Sequence, residues 1–191
     1  MKAAFISRHG GNEVLAVGTL PDPAPGPGEV LVRIGAAALN RLDVFVRNGI
    51  PGVPVAFPHV PGADGCGVVE SAGAGVKGLA EGDRVVLQPG LACGSCEFCR
   101  DGETSLCVEY GILGEHRAGT LAEKVVVPAR NAWKAPAHLT DDGVLVLEIG
   151  HERAHFERAF PRLEVTWLPT SAGDDQVLLV TRDALTLWSR R

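Results

Sequence analysis

The sequence predicts a mainly β fold: a partly open β-barrel carrying a cysteine-rich lobe, followed by a small α/β fragment built as strand, helix and two further strands. Three observations carry this expectation. Short β-branched runs recur before residue 139, each closed by Gly or Pro. Four cysteines, Cys93, Cys96, Cys99 and Cys107, crowd into one stretch. Composition then changes sharply near His138–Gly143. Of 24 glycines, all but Gly143, Gly150 and Gly173 precede Leu139, and of 13 prolines all but Pro161 and Pro169 do. Trp167 and Trp188, by contrast, lie beyond it. Such a shift predicts two units, 1–138 and 139–191.

Over all 191 residues, 46% are hydrophobic and 21% charged, which excludes a mainly disordered chain. A net charge of −5 with no basic stripe argues against nucleic acid as a partner. No apolar run nears the ~20 residues of a membrane helix. The start, Met-Lys-Ala-Ala-Phe-Ile-Ser-Arg-His, meets charge before a signal-peptide core could form, so a cytoplasmic location is expected.

The elements follow in order. Pro21–Gly28 is turn-rich and introduces the strand Glu29–Ile34. A brief helix is predicted over Leu39–Val46. Further strands are expected at Gly67–Glu70, Asp83–Leu87 and Leu121–Val127. The string Gly73-Ala-Gly-Val-Lys-Gly78 matches G-x-G-x-x-G, but Glu81-Gly82-Asp83 and a β-rich run follow it. A phosphate-binding glycine turn must open a helix, so this string is expected to be an ordinary turn.

In the second unit, Gly143–Ile149 is a continuous apolar run of the kind buried on both faces of a parallel sheet. His151–Phe160 reads as a helix stopped by Pro161, with Arg153 and Glu157 one turn apart. Leu163–Trp167 and Gln176–Thr181 read as strands around a turn at Ser171–Asp175. The fragment leaves a sheet edge uncovered, through which self-association is possible.

The cysteines form C-x2-C-x2-C-x7-C at Cys93, Cys96, Cys99 and Cys107, within a lobe spanning 90–110. Thiolates this close can converge on one tetrahedral Zn²⁺. Four protein sulfurs leave no open position, so such an ion would hold shape rather than activate water. Disulfides, an iron–sulfur cluster and unligated thiols are the alternatives. Cys66, between Gly65 and Gly67, reads as a small core residue.

Residues 1 to about 140 resemble the N-terminal, co-chaperonin-like (GroES-like) domain of the medium-chain dehydrogenase/reductase superfamily. The likeness rests on Gly26-Pro-Gly-Glu-Val-Leu-Val-Arg33, Ala38-Leu-Asn-Arg-Leu-Asp43, Pro61-Gly-Ala-Asp64, Gly82-Asp-Arg-Val-Val86 and Ala122-Glu123, together with the cysteine loop. It implies a structural zinc, one per chain, in the lobe. Zinc-dependent members place a catalytic-zinc cysteine, histidine and glutamate where this sequence has Asn40, Ala63 and Asp64. The pattern is similar to the quinone-oxidoreductase branch, which transfers hydride from NAD(P)H without a catalytic metal. There Asn40, Asp43 and Asp64 would line the substrate cleft. The alternatives are that Asn40 and Asp43 cap their helix, and that Asp64 is a turn or salt-bridge residue.

The family's NAD(P)-binding domain, expected after Leu139, is not found in this sequence, so activity of the chain alone is not expected. Residues from about 139 resemble instead the C-terminal piece of protein-glutamine N5-methyltransferases. That likeness rests on Gly143–Glu152 and on Phe160-Pro161 through Thr166–Arg182. It would supply their last strand, helix and closing hairpin without an S-adenosylmethionine loop or an Asn-Pro-Pro-Tyr substrate loop. Three functions therefore stand side by side: an oxidoreductase-family barrel, a non-enzymatic structural-zinc module, and a methyltransferase remnant.

Overall fold

A computed structural model describes residues 1–135, 144–148, 153–170 and 173–181. The chain divides into two compact units, Met1–Ala135 and Pro136–Arg191. The first is mainly β, as the sequence predicts. Its strands are β1 (Lys2–Ile6), β2 (Leu15–Thr19), β3 (Glu29–Ala37), β4 (Gly65–Ala72), β5 (Arg84–Leu87), β6 (Gly90–Leu91), β7 (Gly111–Ile112), β8 (Lys124–Pro128) and β9 (Ala132–Lys134). Two short helices, α1 (Arg41–Asn48) and α2 (Glu97–Arg100), interrupt them.

Five strands form one antiparallel sheet in the order β8-β3-β4-β5-β9. The β3–β4 register slips between Leu31 and Val32 and again between Ile34 and Ala36. Bulges of this kind increase local twist, and here they curl the sheet into an open half-barrel. The β1–β2 pair closes one side through bridges from Ala3 to Ala122 and from Ile6 to His59.

Alternation decides which side chains face inward. In β5, Val85 and Leu87 are buried while Arg84 and Val86 are not. Val30 and Val32 of β3, Val69 of β4 and Val125 and Val127 of β8 meet them in one core with Leu113 and Ala132. Full burial of such side chains stabilises by roughly 1.5–3 kcal/mol each.

A three-way backbone crossing requires glycine. A Cβ at Gly119 would lie 2.1 Å from the Gly62 carbonyl oxygen and 2.7 Å from Cα of Gly114. With that space free, the Gly119 N–H reaches the Val60 carbonyl at 2.7 Å and the Thr120 N–H reaches that of Gly62 at 2.9 Å. The G-x-G-x-x-G string lies in the turn between β4 and β5 and opens no helix.

The second unit contains β10 (Val144–Glu148), α3 (Arg153–Ala159), β11 (Thr166–Thr170) and β12 (Gly173–Thr181). Their sheet order is β10-β12-β11, and both pairings are antiparallel. This corrects the parallel setting expected for the Gly143–Ile149 run: apolar continuity reports burial, whereas strand direction is set by what returns beside it. The strand expected at Leu163–Trp167 begins later, at Thr166. The Leu163 N–H instead closes a turn onto the Phe160 carbonyl at 3.1 Å. On α3, Arg153 pairs with Glu157 at 2.9 Å and stacks over Trp167, its guanidinium 4.4 Å from the ring centre. The join at His138–Gly143, Ser171 and Ala172 of the expected turn, and Trp188 lie outside the described residues, while Gly173–Asp175 of that turn form the start of β12. No helix among the described residues is long and apolar enough to cross a membrane.

Candidate metal centre

The lobe begins and ends on the β6–β7 pair, which joins Gly90 to Ile112 and Leu91 to Gly111. Between those strands the chain turns sharply, with positive φ at Gly94 (77°) and Gly102 (86°). Helix α2 starts directly after Cys96 and carries Cys99 back over Cys93. A 3-10 turn at Thr104–Leu106 then delivers Cys107.

The four Sγ atoms all lie within 4.8 Å of one another, with Cys93 and Cys99 3.9 Å apart. A tetrahedral zinc with Zn–S bonds of ~2.3 Å needs sulfurs ~3.8 Å apart, so the donor set fits that ion. None of the five cysteines is paired in a disulfide.

Backbone amides prepare the sulfurs for charge. Cys93 Sγ accepts the N–H groups of Ser95 (3.4 Å) and Cys96 (3.3 Å), while Cys107 Sγ accepts those of Cys93 (3.2 Å) and Glu109 (3.3 Å). The Ser95 donors, followed by Cys96, pull the Cys93 thiol down to about 6. Cys99 moves the other way, up to about 12, because it loses water and is crowded by the neighbouring sulfurs. Thiolates this close repel one another, and a divalent cation among them removes the repulsion.

The residues named for the cleft also come together, at the start of α1. Asn40 precedes the helix, and its backbone N–H donates to Asp43 Oδ2 at 2.6 Å. The other Asp43 oxygen accepts the Gly62 N–H at 2.7 Å, so this buried carboxylate joins the helix to the Pro61–Asp64 segment. The Asn40 side-chain amide donates to Asp64 Oδ2 at 2.8 Å, and Thr120 Oγ1 donates to the Asp64 carbonyl at 2.8 Å. Ala63 is buried beside them. Cys66, in β4, is half-buried opposite Val86. No motif in the sequence marks Arg130 and Asn131, which hold the base of the lobe from the barrel.

Residues 26–137 match the family model of the alcohol dehydrogenase GroES-like domain. The chain belongs to this family. It is 34% identical to an L-threonine 3-dehydrogenase of Coxiella burnetii over 156 residues, covering 80% of this chain and 45% of that protein. A crystal structure of an NAD-dependent alcohol dehydrogenase is 55% identical with a TM-score of 0.69, covering 74% of this chain and 41% of that one. The cobalt- and zinc-bound thermostable alcohol dehydrogenase of Pyrobaculum aerophilum is 44% identical with a TM-score of 0.66, covering 72% and 41%. The GroES-like chain thus spans less than half the length of each relative.

Proposed function

We propose that the GroES-like unit is the barrel portion of an NAD(P)-dependent oxidoreductase of the quinone-oxidoreductase type, shaped by one structural Zn²⁺. Cys93, Cys96, Cys99 and Cys107 would hold the ion. The convergence of their four sulfurs carries this reading, and the metal named for the Pyrobaculum aerophilum relative supports it. Bound there, zinc supplies a cross-link and no chemistry, because all four positions go to protein.

In this reading no metal takes part at the cleft. Amide, methyl and carboxylate at Asn40, Ala63 and Asp64 offer a single good zinc ligand, and the Asp64 carboxylate is already bonded to the Asn40 amide. Asp43 acts as a helix-to-loop tie. Asn40 and Asp64 would present a polar floor to a substrate.

The residues do not fit a dinucleotide. The G-x-G-x-x-G string at Gly73–Gly78 opens no helix, so hydride transfer is not expected of this chain alone. For the second unit, the reading keeps the relationship to the C-terminal piece of a protein-glutamine N5-methyltransferase. The element order of strand, helix and closing antiparallel hairpin supports it. Self-association through the β10 edge belongs to the same reading.

Titrating the purified chain with NADH and NADPH, followed by nicotinamide fluorescence, tests the oxidoreductase part. The expected signal rises linearly, without saturation. Saturable binding at micromolar concentrations would contradict the reading.

A further inference from the structure

We propose that Arg130 is a positioning residue for the metal: from the barrel, it holds the turn that carries the first zinc ligand and so sets part of the lobe's metal affinity. The proposal rests on the reading that the four cysteines hold zinc. Arg130 and Asn131 belong to the 3-10 turn Ala129–Asn131 between β8 and β9, outside the lobe in sequence. The Arg130 guanidinium donates through Nη2 to the Ala92 carbonyl and through Nη1 to the Cys93 carbonyl, the latter at 3.4 Å. The buried Asn131 amide donates to the carbonyls of Gln88 at 2.9 Å and Gly90 at 2.6 Å. Two consecutive side chains therefore grip four carbonyls along the segment Gln88–Cys93.

Gly94 supplies an independent observation. Its φ of 77° accounts for glycine at the turn, but the space at its Cα is also used. A Cβ there would lie 2.8 Å from Arg130 Nη1 and 3.4 Å from Cζ. The guanidinium fills the notch that the absent side chain leaves.

The physical consequence concerns cost. A metal-binding loop must surrender conformational freedom when it closes on its ion. Holding the entry leg beforehand reduces what remains to be ordered. Groups that orient ligands without touching the metal are typically worth roughly 10–100-fold in affinity. The planar fork of arginine suits two adjacent carbonyls, which a single ammonium cannot grip in the same way.

Zinc affinity of the full chain, measured by competition with a chromophoric chelator, tests the proposal in a double-mutant cycle. Arg130→Ala is expected to weaken zinc binding about tenfold or more. Arg130→Lys, which keeps the charge and loses the fork, should recover only part of that loss. Gly94→Ala weakens binding both by its φ and by displacing the guanidinium. In the Arg130→Ala background only the first cost remains, so the two losses should not add. Unchanged affinity in Arg130→Ala, or strictly additive losses, overturns the proposal. A parent chain that binds no zinc overturns instead the metal reading beneath it.

Discussion

Cys107→Ser is expected to abolish zinc binding and to open the lobe while leaving the five-stranded sheet folded. From Gly90 to Tyr110, Cys107 is the one buried residue; every other position is half-buried or exposed. The lobe therefore has no apolar core of its own, and the ion stands where a core would be. Structural zinc contributes apparent binding free energies of roughly 10–16 kcal/mol in small domains that depend on it. Losing one of four thiolates removes part of that, and it replaces the sulfur that accepts the Cys93 and Glu109 amides with a smaller, neutral hydroxyl. The barrel strands keep their own core, which lies on Val30, Val32, Val69, Val85 and Val127. Hydrogen exchange read by mass spectrometry should show fast amides between Cys93 and Cys107, with β3, β4 and β8 still protected. Unchanged protection across the lobe would refute the idea that the metal orders it.

Leu113→Ala carries the second large effect and acts on the barrel. Leu113 has no exposed surface and sits in the core cluster with the valines of β3, β4, β5 and β8. Its backbone N–H also bonds the Pro89 carbonyl at 2.9 Å, joining the strand that leaves the lobe to the one that enters it. Removing its branched end leaves a cavity and costs about 2–5 kcal/mol. In urea, the midpoint should fall with little change in slope. Trp133→Ala is the control, since that ring is 63% exposed and its loss should matter far less. A Leu113→Ala midpoint equal to the parent's would place the core elsewhere.

The parts of this fold legible in the sequence are those with a local physical signature. β3, β4, β5 and β8 each announce themselves by β-branched runs between turn residues. The lobe announces itself because few chains place four thiols so closely for another purpose. Helix α1 was legible in kind and shifted in place: Asn40 stands at its start, and it runs on to Gly49, whose φ of 95° ends it. β1 and β2 carry weak signals because four of the five β2 residues are exposed. β6, β7 and β9 have two or three residues each, too few to establish any period.

Long-range polar contacts left no trace in the sequence. Asn40 and Asp64 are far apart in the chain, and nothing in either neighbourhood announces that they meet. Arg130 and Asn131 have no periodicity linking them to the cysteines; their role appears only when β9 folds back along β5. The direction of β10 was illegible for a related reason, because its residues pair with residues of β12 that lie 29 to 37 positions on.

X-ray absorption at the zinc edge, on the chain as purified and never exposed to chelator, is the most direct test of the central claim. Four sulfur neighbours at about 2.3 Å, with no nitrogen or oxygen in the first coordination sphere and one zinc per chain, is the predicted spectrum. Nitrogen or oxygen ligands, or cysteines found free of any metal, would contradict it.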